Sequence, residues 1–275
     1  MAIRKKKSPI SVFLLITFLV VMGSPFYVMF IGGFKSNKEL LMLPPDMGPF
    51  TGLVNTNLLH VVFNSEIFLW ITNSFVVSIS VAGGTMFIAA MAGYAFSKLD
   101  FKFKNLLFAI IIATMILPRQ ILLIPNFLVA MNLGLVNSLI GVILTSIVPA
   151  FGIFLCRQFM LTIPRELTEA AEIDGCSEMG KFFRIIVPIS MPALGAVGIF
   201  SFFTTFNDYL WQLVMISDKN LQTVPIGIAM FMQKATANIG YQLMAASVAT
   251  VPLLVIFIFC QRFFIKGITM GGVKG

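Results

Sequence analysis

Little in this chain carries charge. Eleven Asp and Glu stand against nineteen Lys and Arg, and charged residues of both signs make up 11% of the 275. Soluble domains carry about 25%, so a water-facing surface of ordinary extent is excluded. Histidine occurs once, at His60, and cysteine three times, at Cys156, Cys176 and Cys260. A disulfide framework or a His/Cys metal centre therefore has no parts, and His60 is expected in a loop. No G-x-x-x-x-G-K-[ST] phosphate loop is present, nor a nucleophile with a base near it in sequence. The chain is expected to be no enzyme, to hold no metal or cofactor, and not to hydrolyse ATP by itself.

What it has instead is apolar length. Hydrophobic residues make up 58% and the mean hydropathy is +0.97, values that belong to a protein buried in lipid. A helix rising 1.5 Å per residue needs about 20 apolar residues to cross about 30 Å of hydrocarbon. Charge is absent between Lys7 and Lys35, Glu66 and Lys98, Arg119 and Arg157, Arg184 and Asp208, and Lys234 and Arg262. Each run holds a span. A shorter run of 14 residues between Lys104 and Arg119 makes a sixth, which must recruit a flanking charge or tilt little. The 17 Met and 29 Phe read as packing material. Gly and Ala in “VAGGTMFIAAMAGYA”, residues 81–95, read as sites of tight helix crossing.

Orientation follows from the basic residues. With the N-terminus inside, fourteen of the nineteen fall on the cytoplasmic side: Arg4 to Lys7, Lys98 to Lys104, Arg157 to Arg184, and Arg262 to Lys274. Lys35, Lys38, Arg119, Lys219 and Lys234 remain outside. Both termini are expected in the cytoplasm, and the net charge of +8 reports topology, with no nucleic-acid partner implied. The basic start followed by a long apolar run without an A-x-A site is expected to be an uncleaved first helix.

The acid that exists is concentrated. Glu166, Glu169, Glu172, Asp174 and Glu178, five of the eleven acidic residues, lie in one cytoplasmic loop, in and just after “ELTEAAEIDG”. The loop reads as a helix. Pro164 suits a first turn, Glu166 and Glu169 place negative charge at the N-terminus, and Ala170 and Ala171 are strong helix formers. Gly175 ends it in the left-handed conformation, and Ser177 caps the next helix. Leu167, Ala170 and Ala171 are expected on one face.

“EAAEIDG” followed by “RIIVPISMP”, with Gly175 and Pro188 thirteen positions apart, closely resembles the EAA signature of permease subunits of binding-protein-dependent ABC importers. “AFGIFLCRQFMLTIPRELTEAAEIDG”, “FNDYLW” and the terminal “GGVKG” resemble the carbohydrate branch, specifically MalG-type subunits, with similarity from about Asn73 to Gly275. Cys176 stands where alanine is common, a small-for-small departure. The resemblance implies an all-α polytopic helical bundle with six transmembrane helices, the type I ABC importer permease fold, in a bacterial or archaeal cell membrane. Its parts would be an N-terminal helix and external loop (1–66), a permease core (67–266) with a coupling helix at 164–176, and a cytoplasmic tail (267–275). Glu169, Ala170, Ala171, Asp174 and Gly175 match the coupling helix, which in the family docks in a cleft of the ATPase. Gly271, Gly272, Val273, Lys274 and Gly275 match the tail that reaches into the ATPase dimer interface. Implied partners are a second, MalF-like permease, two ATPase subunits that bind ATP and Mg, an extracytoplasmic solute-binding protein, a carbohydrate substrate and membrane lipid.

Two features leave alternatives open. Arg119, after Pro118, either lines a translocation cavity or sits at the outer interface beside an apolar “ILLIPNFLVAMNL”; the interfacial reading is favoured. Asn207, Asp208, Tyr209 and Trp211 either form an interfacial belt or offer a sugar its hydroxyl partners and aromatic faces. A rival from another class, an ion-driven secondary transporter, would have only Arg119 and Asp208 as mid-membrane ionisable groups. An integral-membrane enzyme lacks catalytic groups altogether.

Overall fold

A computed structural model of the chain describes residues 9–49, 52–234 and 238–272. Among them every regular element is helical. In chain order the helices are α1 (Pro9–Gly33), α2 (Asn37–Leu40), α3 (Thr56–Asn64), α4 (Ile67–Lys98), α5 (Lys104–Thr114), α6 (Leu123–Asn132) and α7 (Leu139–Ser146). There follow α8 (Ala150–Leu161), α9 (Arg165–Ile173), α10 (Glu178–Lys181), α11 (Val187–Phe206), α12 (Leu210–Met215), α13 (Val224–Lys234) and α14 (Ile239–Gly272).

Four stretches are long and apolar enough to cross a bilayer: Pro9–Gly33, Ile67–Lys98, Glu178–Phe206 and Ile239–Gln261. Two further apolar helix pairs are long enough together but bent. α5 and the segment Arg119–Asn132 meet at 92°, and α7 meets α8 at 46°. The short third span is thus shorter still. Its straight part has 11 residues, about 16 Å at the helical rise, and stops ahead of Pro118, whose ring disfavours helix in the residue before it. “ILLIPNFLVAMNL” continues this span as its second leg. Pro149 marks the break of the fourth, after Ile147 has turned extended (ψ 96°).

The chain divides into two compact units. One takes the residues up to Phe68 together with Gly227–Leu254; the other takes Leu69–Ile226 and the residues from Val255 on.

In the first unit small residues let backbones meet. A Cβ on Gly33 would lie 3.0 Å from Met244 Cα, so α1 and α14 touch there. The Asn57 amide donates to the carbonyls of Gly33 (2.9 Å) and Lys35 (2.8 Å), satisfying acceptors left at the end of α1. Ser36 and Glu39 form a reciprocal capping box on α2, and those Ser36 hydrogen bonds hold the Glu39 carboxyl below its ordinary range. His60 lies within α3, not in a loop, stacked on Tyr241 with ring centroids 4.1 Å apart.

The second unit is built around α4, α8 and α11. The glycines and alanines of 81–95 make the crossings tight: a Cβ on Gly93 would lie 2.6 Å from Cys156 Cβ, and one on Gly152 would lie 2.9 Å from both Ala89 and Val197. Ala89, Tyr94, Cys156, Met160, Ile186 and Val197 lie in one buried cluster. A π-helical turn, Phe182–Ile186, joins α10 to α11. The wider turn keeps Phe182, Ile186, Ser190 and Leu194 on one buried stripe although they step by four, which an unbroken 3.6-residue helix would rotate off the core.

Candidate functional site

The acidic segment folds as a short helix with both ends determined by its own residues. Pro164 precedes α9 as an extended N-cap (ψ 140°), one residue earlier than a first-turn position. At the other end Gly175 has φ +75°. Cys176 N–H donates to Ala171 O (2.8 Å) and Gly175 N–H to Glu172 O (2.9 Å), the paired bonds of a Schellman motif. Ser177 then caps α10, its hydroxyl accepting from Gly180 N–H at 3.2 Å.

The faces of α9 differ from the expectation in one respect. Leu167 and Ala170 are exposed, and Ile173, at 87% exposure, stands out with them, but Ala171 at 8% is buried. Ala171 is therefore a packing residue within this chain and not part of the outward surface. Glu169 and Asp174 also face outward, and neither takes part in an ion pair among the described residues.

Behind that surface the helix is tied down. Lys181, 6% exposed, pairs with Glu172 of α9 (3.1 Å) and closely with Glu178 of α10. The Tyr94 hydroxyl on α4 donates to Glu178 Oε2 at 2.7 Å. Lys98 donates to Ile163 O just ahead of α9 (2.5 Å), and Arg157 donates to Phe96 O (3.1 Å) while lying 4.1 Å above the Phe108 ring. Three basic residues that count in the sequence only as topology markers are thus structural ties. Gly175 and Gly180–Lys181 fall at phosphate-loop spacing, but Phe182 replaces the required hydroxyl and Lys181 is committed to two carboxylates.

A cavity of about 680 Å³ opens elsewhere in the same unit. Arg119, Asp208 and Trp211 line it, joined by Thr145, Ser146 and Asn126, which the sequence does not single out. These three are among several polar residues in the charge-free run between Arg119 and Arg157, and no local pattern separates them from Gln120, Asn132, Asn137 and Ser138. Arg119 is exposed and lines the cavity. Asn207 is not among the lining residues; it is exposed, and its amide donates to Phe203 O (2.8 Å) at the end of α11. Asp208 accepts from Trp211 N–H (3.2 Å), and the Trp211 indole donates to Thr145 Oγ1 (3.0 Å). Buried Gln212 donates to Thr205 O (2.7 Å) and accepts from Thr223. The indole is thus held at the cavity wall with its hydrogen bond satisfied. Of the tail, Gly271 and Gly272 close α14, while Val273, Lys274 and Gly275 lie outside the described residues. No group of three or more potential metal ligands occurs among the described residues.

The chain is similar to known proteins over most of its length. Residues 84–270 match the family described as binding-protein-dependent transport system inner membrane component. The arabinooligosaccharides transport system permease protein AraQ of Bacillus subtilis is 34% identical over 253 residues, which cover 91% of this chain and 90% of that protein. The sn-glycerol-3-phosphate transport system permease protein UgpE of Pectobacterium atrosepticum is 33% identical over 262 residues, 93% of each chain. A crystal structure of a bacterial ABC transporter involved in the import of the acidic polysaccharide alginate contains a chain that superposes with a TM-score of 0.81 at 18% identity. That overlap covers 93% of this chain and 95% of the other, a likeness of fold. The four apolar spans and two bent ones are those of a multi-pass, all-α membrane protein, and the chain belongs to the binding-protein-dependent transport system inner membrane component family, a family of transport permeases.

Proposed function

We propose that the chain is one of two permease subunits of an ATP-driven carbohydrate importer, forming half of its pore and receiving movement from a separate ATPase through α9. One observation carries the reading. A nine-residue helix that is anchored by buried hydrogen bonds and ion pairs turns apolar Ile173 and Leu167, small Ala170, and unpaired Glu169 and Asp174 to the outside. A solvated loop has no reason to expose Ile173 and hold it rigid; a docking surface needs both properties. Ala170 lets a partner backbone approach, and Glu169 offers charge to a basic cleft. Gly175 and the buried Ala171 hold that surface in place.

In this reading the partner ATPase subunits bind ATP and Mg, close on one another, and carry α9 with them; the cavity at Arg119, Asp208 and Trp211 then receives sugar from an extracytoplasmic binding protein. The second permease is MalF-like, the tail Gly271–Gly275 reaches the ATPase interface, and both termini are cytoplasmic. The carbohydrate assignment rests on relatives such as AraQ, a permease for arabinooligosaccharides, and on polar groups beside an indole in the cavity. An ion-driven mechanism is not favoured by the family to which the chain belongs.

The test is retention of the ATPase subunit when the assembled transporter is purified. Ile173→Asp should reach the membrane at normal levels yet lose the ATPase and transport; full retention and normal uptake would sink the proposal. Reporter fusions should read Lys102 and Glu169 as cytoplasmic and Lys38 and Lys219 as external.

A further inference from the structure

Lys181 is a long cation with a side chain only 6% exposed, and burying such a charge is unfavourable unless it is paired. Its partners come from separate elements: Glu172 on α9 at 3.1 Å and Glu178 on α10, the latter also receiving the Tyr94 hydroxyl of α4 at 2.7 Å. α10 runs through the π-helical turn into α11 as one span, Glu178–Phe206. α4 supplies Val81 and Thr85 to the cavity wall, and α11 supplies Phe200, Ser201, Thr204 and Thr205. The Lys181 ammonium on the α10–α11 span therefore pairs with α9, and the Glu178 carboxylate it also holds carries the connection on to α4.

We infer that Lys181 is a positioning residue that makes α9, α4 and the α10–α11 span move as one body, so that displacement of α9 reaches the cavity wall. The inference rests on the proposed docking role of α9 and adds the route by which its movement is passed on. The geometry suits transmission better than attachment alone. Carboxylates on α9 and α10 flank one ammonium, so α9 cannot swing away without leaving a buried charge half-paired. The tyrosine fixes the second carboxylate to α4, and Lys98 to Ile163 O closes the ring from the same helix. Coupling between distant sites requires such a contiguous network whose parts shift together.

Two measurements test it. In the first, spin labels are placed on the chain alone at Ile173→Cys and Asp100→Cys, with Cys156, Cys176 and Cys260 replaced by serine. The label-to-label distance distribution should be narrow with Lys181, broaden in Lys181→Met, and narrow again in Lys181→Arg. An unchanged distribution in Lys181→Met overturns the inference. In the second, the importer is reconstituted with both permeases, its ATPase subunits and its binding protein. ATPase retention and ATP hydrolysis are measured for each variant, and for the assembled Lys181→Met transporter uptake per ATP consumed should fall at least about tenfold, a coupling loss of about 1.4 kcal/mol. Lys181→Arg should restore most of it. Glu172→Gln, at a largely exposed carboxylate, is the variant to use if Lys181→Met does not insert, and should lower the same ratio more mildly. Normal uptake per ATP in Lys181→Met, or in Glu172→Gln when that stands in for it, overturns the inference even where Ile173→Asp has lost the ATPase. If Ile173→Asp keeps the ATPase, the docking reading fails instead, and the distance measurement alone decides whether Lys181 braces α9.

Discussion

The span Glu178–Phe206 carries a polar cluster at each end, and the two are built on different physics. At its start a buried cation is enclosed by two carboxylates and a tyrosine, with Lys98 holding the neighbouring carbonyl. At its far end Asp208, Trp211 and Thr145 are joined by hydrogen bonds on the wall of an open cavity, and buried Gln212 separately joins Thr205 and Thr223. Hydrogen bonds between charged partners are shorter and stronger than neutral ones, and here the ammonium is buried while its two carboxylates face solvent. The first end is therefore suited to carrying load without changing its partners. The second can exchange a protein hydrogen bond for one to a ligand hydroxyl at small cost. Under the proposed function this is the division of labour a coupled transporter needs.

Substitutions at the first end should do the most damage. Gly175 sits at φ +75°, and a Cβ added there would meet no neighbour within 4 Å, so any penalty at this position is conformational, not steric crowding. Gly175→Val should cost on the order of 1–2 kcal/mol in α9, dissolve the Schellman motif, and abolish ATPase retention and transport while leaving insertion intact. Gly175→Asn, which tolerates the left-handed region, should retain most of both; equal damage from Asn and Val would show that conformation is not the issue. Ala171→Trp, at a buried position, should overpack the chain's own interior by about 1–3 kcal/mol and lower thermal stability before any partner is present. Glu169→Lys should leave the stability of the isolated chain unchanged and weaken only ATPase retention, because Glu169 has no ion-pair partner among the described residues. Glu178→Lys, which places a cation against Lys181 and Tyr94, should destabilise the isolated chain as well. A Glu169→Lys chain that melts early, or a Glu178→Lys chain that does not, would reverse the assignment of faces.

Much of this is legible in the sequence because physics outside the protein sets the scale. The thickness of a bilayer makes charge-free runs countable, and the four apolar spans and the two bent apolar pairs fall in the runs set by Lys7, Lys35, Glu66, Lys98 and the rest without any packing information. The left-handed Gly175 and the Ser177 cap are local chemistry and need only neighbours in sequence. The phase of α9 is different. Nine residues hold too few turns to say which side is inward, so the sequence pattern groups Ala171 with Leu167 and Ala170. The bends are hidden because Pro118 and Pro149 interrupt apolar text that reads alike on either side. Arg119 and Asp208 are brought to one cavity by folds of the chain 89 positions apart in number, and no local pattern announces that. Lys181, like Lys98 and Arg157, serves in the sequence as a topology marker, and a charge counted for its side of the membrane gives no hint of what it touches.

Substitutions at the cavity end should change the protein least. Asp208→Asn keeps the shape of the side chain and an oxygen that can still accept from Trp211 N–H, so α12 should start as before and stability should change by less than about 0.5 kcal/mol. What is lost is a negative charge on the cavity wall. ATPase retention and uptake per ATP should be those of the parent, while the substrate concentration for half-maximal uptake shifts by about two- to fivefold, the scale of one hydrogen bond strengthened or weakened by charge. Trp211→Phe removes the indole donor and leaves Thr145 without it, a change of about 1 kcal/mol that should act on the same quantity and in the same range. The measurement is uptake against substrate concentration in the reconstituted transporter for both variants. If either lowers uptake per ATP instead, the cavity end carries load after all, and the two ends of the span are not divided as their chemistry indicates.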